Sequence, residues 1–196
     1  IFCSDHGDML GDHGLAYKWL MYESVVRVPF FIVPGAAVAG RVRAPSAEDA
    51  LVSLLDIGPT FLDAAGVPRP ARLEGRSLWP MLQGQAAPRR DHVFCEDNYQ
   101  IMMRTPTHKL VVYLGQEDGE FYDLSADSDE RQNLWGDASA RPLRDRLERE
   151  LFRWFAQSVY FNGPCKTRDG GQKLRWPARG DFALHGPNLW ADGAEL

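Results

Sequence analysis

Cysteine is scarce, with three in 196 residues. Three thiols cannot form a disulfide framework, and an odd number leaves at least one free or paired with another molecule. A basic excess is also missing: Lys and Arg total 22 against 27 Asp and Glu, a formal net charge of −5. That balance opposes the electrostatic footprint of a nucleic-acid binder, so no nucleic-acid partner is expected. No apolar run approaches the ~18 residues of a membrane-spanning helix, so no transmembrane segment is expected. There is no internal repeat. The chain also lacks an initiating Met, a basic n-region and a signal-like segment. It opens Ile1-Phe2-Cys3, as though inside a strand, and is expected to be part of something longer.

What is present is ordinary globular composition, 44% hydrophobic and 25% charged, which excludes disorder as the main state. The length sets one to two domains. Ile1-Phe2-Cys3 runs directly into Ser4-Asp5-His6-Gly7, and an apolar strand ending in a polar, Gly-containing loop is where open α/β sheets place ligands. Residues 7–17 hold Gly7, Gly11 and Gly14 and read as a loop. Lys18 to Val26 reads as a short helix, and Val28 to Val33, closed by Pro34-Gly35, as a buried strand. A helix is predicted around Phe61 to Ala65, with Pro59 in its first turn, Gly66 past its end, and Asp56 and Thr60 as caps. Ser77 to Leu82 reads as another helical turn.

The texture changes after residue 90. His92–Glu96, Tyr99–Arg104, Lys109–Leu114 and Glu120–Leu124 are four strand candidates separated by turn residues, the pattern of a small antiparallel sheet. Pro142 to Ser158 is an amphipathic helix with Leu143, Leu147, Leu151 and Trp154 on one face. Residues 161–196 read as an irregular tail. His108 and Lys109 are expected at the surface, Cys3 and Cys95 as buried thiols, and Trp19, Met21 and Tyr22 as core or pocket wall.

Asp5 and His6 are adjacent oxygen and nitrogen donors. They can chelate one divalent metal if the chain leaves the strand so that both face one point, and Gly7 makes that bend cheap. The alternative is an Asp that caps the turn beside a solvated imidazole. Lys18, thirteen residues beyond Asp5, would bring a compact ammonium suited to an anionic ester or a leaving oxygen.

The run Ser4-Asp5-His6-Gly7-Asp8-Met9-Leu10-Gly11-Asp12-His13-Gly14-Leu15, with Lys18-Trp19, Met21-Tyr22-Glu23 and Arg27-Val28-Pro29, closely resembles the second metal-binding block of the sulfatases. These belong to the alkaline-phosphatase-like superfamily. The resemblance continues through Leu55 to Pro68, Glu74 to Leu78, Arg104 to Tyr113, and Glu120 to Leu124 with Glu130 and Asn133-Leu134. It implies an α/β fold. Residues 1–90 would be the C-terminal part of a partial alkaline-phosphatase-like parallel sheet with flanking helices, and 91–160 a small antiparallel subdomain packed with a helix. It further implies Asp5 and His6 as ligands of one divalent metal, calcium or manganese, and Lys18 as the catalytic cation at the sulfate and leaving oxygen. His13 would support the site from behind, and Asp97 and Asn98 would lie on the substrate side. The implied partner is a sulfated small molecule or sugar.

One feature of the family is missing. Sulfatases use a formylglycine nucleophile made within a Cys/Ser-x-Pro/Ala-x-Arg motif, and no such motif is present; Cys165-Lys166-Thr167-Arg168 does not fit it. The expectation is a sulfuric ester hydrolase of which this chain is the C-terminal portion, without the nucleophile. Alternatives are a phosphodiesterase or phosphonate monoester hydrolase of the same superfamily, or a non-catalytic piece.

Overall fold

A computed structural model describes residues 1–44, 46–70, 73–85, 89–97 and 99–161, without the side chains of 159–161. The expectations for Asn98, for Cys165 to Arg168 and for the tail lie outside the described residues. The first compact unit is Ile1–Leu151, and a second begins at Phe152.

The first strands are short. β1 (Phe2–Cys3) pairs antiparallel with β2 (Phe30–Phe31), Phe2 opposite Phe31 and Cys3 opposite Phe30. The buried strand expected over Val28–Val33 is thus reduced to two residues, and Phe31 and Val33 are exposed. Pro29 and Pro34 bracket the pair, and neither can donate to a ladder. No strand pair among the described residues is parallel.

The helix expected over Lys18–Val26 is confined to α1, Glu23–Val26. Its first half is not helical because distant side chains hold its carbonyls: Gln100 Nε2 donates to Trp19 O and Lys109 Nζ to Met21 O. Met21 is buried, Tyr22 is half-buried, and Trp19 is largely exposed.

The predicted second helix is present as α2, Ile57–Ala65, closed by Gly66 in the left-handed region at φ 69°. Asp56 does not cap it by side chain. Its carboxylate instead accepts from Ser53 N at 2.9 Å and closes a capping box around the preceding turn. The same carboxylate, wholly buried, accepts Arg76 N at 2.7 Å and takes both Arg90 nitrogens at 2.6 Å. Thr60 Oγ1 donates to Asp56 O and accepts from Leu78 N, tying α2 to α3 (Trp79–Leu82).

The four strand candidates form one antiparallel meander: β3 (Val93–Glu96), β4 (Gln100–Arg104), β5 (His108–Tyr113) and β6 (Gly119–Asp123). Its central strands are buried without alternation, over Gln100–Met103 and Lys109–Val112, so both faces are covered. Strand alternation sorts the residues. One face carries Ile101, Met103, Leu110, Val112 and Phe121, all apolar and buried. The other mixes Met102 and Val111, packed on Met21, with the polar Gln100, Arg104, Lys109, Tyr113, Glu120 and Tyr122. The sheet is followed by α4, Arg141–Phe161, whose Leu147 and Leu151 are buried as its periodicity predicts. Cys3 and Cys95 are half-buried rather than buried, and burial pushes the Cys95 thiol up.

Candidate active site

The chain leaves β1 at Ser4, whose hydroxyl donates to His6 O at 2.7 Å, while Asp5 Oδ1 accepts His6 N at 3.0 Å. These local bonds turn consecutive side chains toward one side. Gly7 then passes so close to α1 that its N–H donates to Val25 O at 2.7 Å. A Cβ there would lie 1.9 Å from Ser24 O, so only glycine lets the loop seat against α1.

The tautomer of His6 follows from its contacts. Nδ1 lies 2.7 Å from Gly7 O, which can only accept, so Nδ1 carries the proton in the neutral ring. Nε2 is left with its lone pair and accepts from Lys18 Nζ at 2.7 Å. Asp5 Oδ2 lies 3.5 Å from the same Nε2. The predicted trio of Asp5, His6 and Lys18 is thus brought together. The His6 backbone N–H first, then its own backbone N–H, with the nearby Lys18 charge, hold the exposed Asp5 carboxyl below the usual range.

A hard carboxylate oxygen and an imidazole nitrogen 3.5 Å apart match two adjacent donors on one cation with ligand bonds of about 2.0–2.6 Å. The carbonyl behind Nδ1 is the kind of outer partner that orients a ligating histidine. Among the described residues no group of three or more His, Cys, Asp or Glu converges on a metal position.

His13 and Asp97 make other contacts. His13, at φ 54°, stacks on Tyr22 with ring centroids 4.2 Å apart. It lines an open depression of about 520 Å³ with Asp12, Ser24, Asp129, Glu130 and Arg131, a lining that omits Asp5, His6 and Lys18. Asp97 turns back on its own hairpin: its carboxylate accepts from Tyr99 N, Gln100 N and Gln100 Nε2 at 2.8–3.1 Å.

Lys109 corrects the sequence expectation most sharply. Read as a surface residue, it is wholly buried. Its Nζ lies 2.8 Å from Glu23 Oε1, 2.6 Å from Glu130 Oε1 and 2.9 Å from Met21 O. Glu130 Oε2 also accepts the Glu23 backbone N–H at 2.7 Å, and Arg104 lies 3.5 Å from Glu23. The two carboxylates respond differently. Burial pushes Glu23 up, but Lys109 and then Arg104 outweigh it and hold the group below its usual range. Burial pushes Glu130 up, Lys109 offsets it only in part, and the facing Glu23 charge adds to the rise. Alternation was the available signal: Lys109 and Val111 share one sheet face, and Val111 is buried.

The sequence and the fold both have relatives. The family described as N-sulphoglucosamine sulphohydrolase, C-terminal, matches residues 11–157. An arylsulfatase of Clostridium perfringens is 33% identical over 159 residues, covering 78% of this chain and 32% of that protein. This chain therefore spans about a third of that relative's length. A protein solved in complex with its substrate D-glucosamine-2-N,6-O-disulfate aligns at 28% identity and TM-score 0.60, over 81% of this chain and 33% of that one. The phosphonate monoester hydrolase of Agrobacterium radiobacter aligns at 27% and TM-score 0.68, over 90% and 39%. These are α/β proteins of the alkaline-phosphatase-like fold, and sulfatases in general use a divalent metal and formylglycine. The chain is a member of the sulfatase family, matching its C-terminal region.

Proposed function

We propose that the full-length protein is a metal-dependent sulfuric ester hydrolase, with this chain supplying one side of the active site. Asp5 and His6 would hold a divalent cation, calcium or manganese, and Lys18 would stabilise the leaving oxygen. The observation that carries this reading is the Lys18 Nζ to His6 Nε2 distance of 2.7 Å, with Asp5 Oδ2 3.5 Å from the same nitrogen. A cation bound there supplies Lewis-acid polarisation of the ester oxygens. Lys18 then places a point charge within reach of whatever occupies that position, where negative charge develops as the ester bond breaks. His6 keeps Nε2 unprotonated by donating Nδ1–H to Gly7 O; the Nε2 lone pair accepts from Lys18 Nζ in this structure and would pass to the cation as Lys18 turns to the ester oxygen. The sequence holds no formylglycine motif, so the nucleophile comes from outside these residues.

Residues 1–90 would form part of the catalytic α/β domain and 91–160 a smaller subdomain. The substrate would be a sulfated sugar or aryl sulfate: Trp19 is 71% exposed and its ring centroid lies 5.9 Å from Lys18 Nζ, an apolar face beside the cation. His13 would support the site through Tyr22. The similarity to a phosphonate monoester hydrolase favours one competing reading, and paired assays on aryl sulfate and aryl phosphonate esters separate the two. The central test is Lys18→Ala in the full-length protein. Turnover of sulfate esters is expected to fall at least about tenfold, or ~1.4 kcal/mol, and a smaller change overturns the role of Lys18.

A further inference from the structure

Lys18 sits between two anchored carbonyls. On one side Tyr17 occupies the left-handed region at φ 71°, and its carbonyl accepts from the N–H of the wholly buried Met9 at 3.0 Å. A bulky residue in that conformation is strained and persists only where its surroundings hold it. On the other side the Trp19 carbonyl accepts from Gln100 Nε2 at 3.0 Å, although Gln100 lies 81 residues on. The second proton of that amide goes to Asp97 Oδ2 at 2.8 Å. Gln100 is 4% exposed and its Oε1 is buried without a hydrogen-bond partner. A buried acceptor left unpaired is costly, so the amide orientation is dictated by its two donor contacts, one of which is the backbone beside Lys18.

We infer that Gln100, oriented by the Asp97 carboxylate, is a positioning residue for Lys18. It touches neither the ester nor the metal donors. Its Nε2–H fixes the Trp19–Leu20 peptide, one residue beyond Lys18, and thereby the backbone that sets where the ammonium points, and Asp97 acts on the site through it. The inference rests on the assignment of Lys18 to the leaving oxygen.

The test uses full-length protein and sulfate esters whose leaving groups span a wide range of acidity. An acidic phenol needs little help from a cation, whereas a sugar or alkyl alcohol needs much. Gln100→Met keeps the volume and removes the donor. It is expected to lower kcat at least about tenfold on the alkyl or sugar ester and less than about threefold on the nitrophenyl ester. The Lys18→Ala variant should show the same steepened dependence, and adding Gln100→Met to it should cost little more. Equal loss on all esters in Gln100→Met, or additivity of the two changes, overturns the inference and leaves Gln100 a purely structural role. If Lys18→Ala itself does not steepen the dependence, the Lys18 assignment fails first. Should Gln100→Met not fold, Gln100→Leu is read by the same criteria; failure of both to fold also overturns the inference, since fold maintenance then accounts for the residue.

Discussion

Replacing Lys109 by Met removes the cation from a buried cluster while keeping a side chain of similar length. Lys109 contacts Glu23, Glu130 and the Met21 carbonyl within 2.9 Å and is wholly buried. The variant leaves two carboxylates facing each other, with Arg104 3.5 Å from Glu23. Breaking a buried pair by removing one partner costs about 3–5 kcal/mol, because the remaining charge stays uncompensated. In urea, with a slope of roughly 1–3 kcal/mol per molar, the midpoint should move down by about 1–5 M, read by tryptophan fluorescence. The pH dependence carries the mechanism. Glu23 is held below its ordinary 4.5, so its stabilising contribution is full above that value and lost as pH falls through the folded one. Glu130 is raised above 4.5, so its ionisation costs stability, and that cost is relieved as pH falls. Without Lys109 both carboxylates move up. The gap between variant and parent should therefore be widest at neutral pH and shrink as pH approaches 5 and below. The triple change Lys109→Met, Glu23→Gln, Glu130→Gln should recover much of the loss. A loss below about 1 kcal/mol at neutral pH, or a gap that does not narrow on acidification, refutes the reasoning.

Asp56→Asn should cost about 3–5 kcal/mol, since it strands the Arg90 guanidinium, whose side chain is 12% exposed; denaturant midpoints check this, and Asp56→Asn with Arg90→Met should be milder. Gly7→Ala must move backbone, because its Cβ would meet Ser24 O at 1.9 Å. It should cost about 1–3 kcal/mol and lower kcat/KM on sulfate esters in the full-length protein at least tenfold; unchanged turnover would show that the seating of the loop on α1 does not set the Asp5–His6 geometry.

Much of the fold was legible along the chain because its signals are local. Turn residues separate the strands of the meander, Pro59 and Gly66 punctuate α2, and the leucines of α4 repeat at helical spacing. The expectation for Lys18–Val26 failed for a reason no local window contains. Its carbonyls are claimed by Gln100 and Lys109, 81 and 88 residues away, in place of helical partners. The strand at Val28–Val33 shrank because the two prolines that flag its ends also truncate its ladder. Asp56 was expected to cap a helix, and it does close a capping box, but one turn earlier, while its carboxylate also takes the half-buried Arg90.

The order Asp5, His6, Gly7 and Lys18, with the blocks that follow, was enough by itself to identify the family and the candidate trio. Side-chain chemistry and chain order are written in the sequence directly. Only the tertiary structure decided how that trio is held. Lys109 reads as a charged strand residue until Glu23 and Glu130 are folded around it. Asp97 reads as an acidic residue after a strand, and only the fold shows its carboxylate accepting from Gln100. Burial and orientation arise from pairs of residues up to 107 positions apart, and such pairings exist only once the sheet has closed over the segment that carries Lys18.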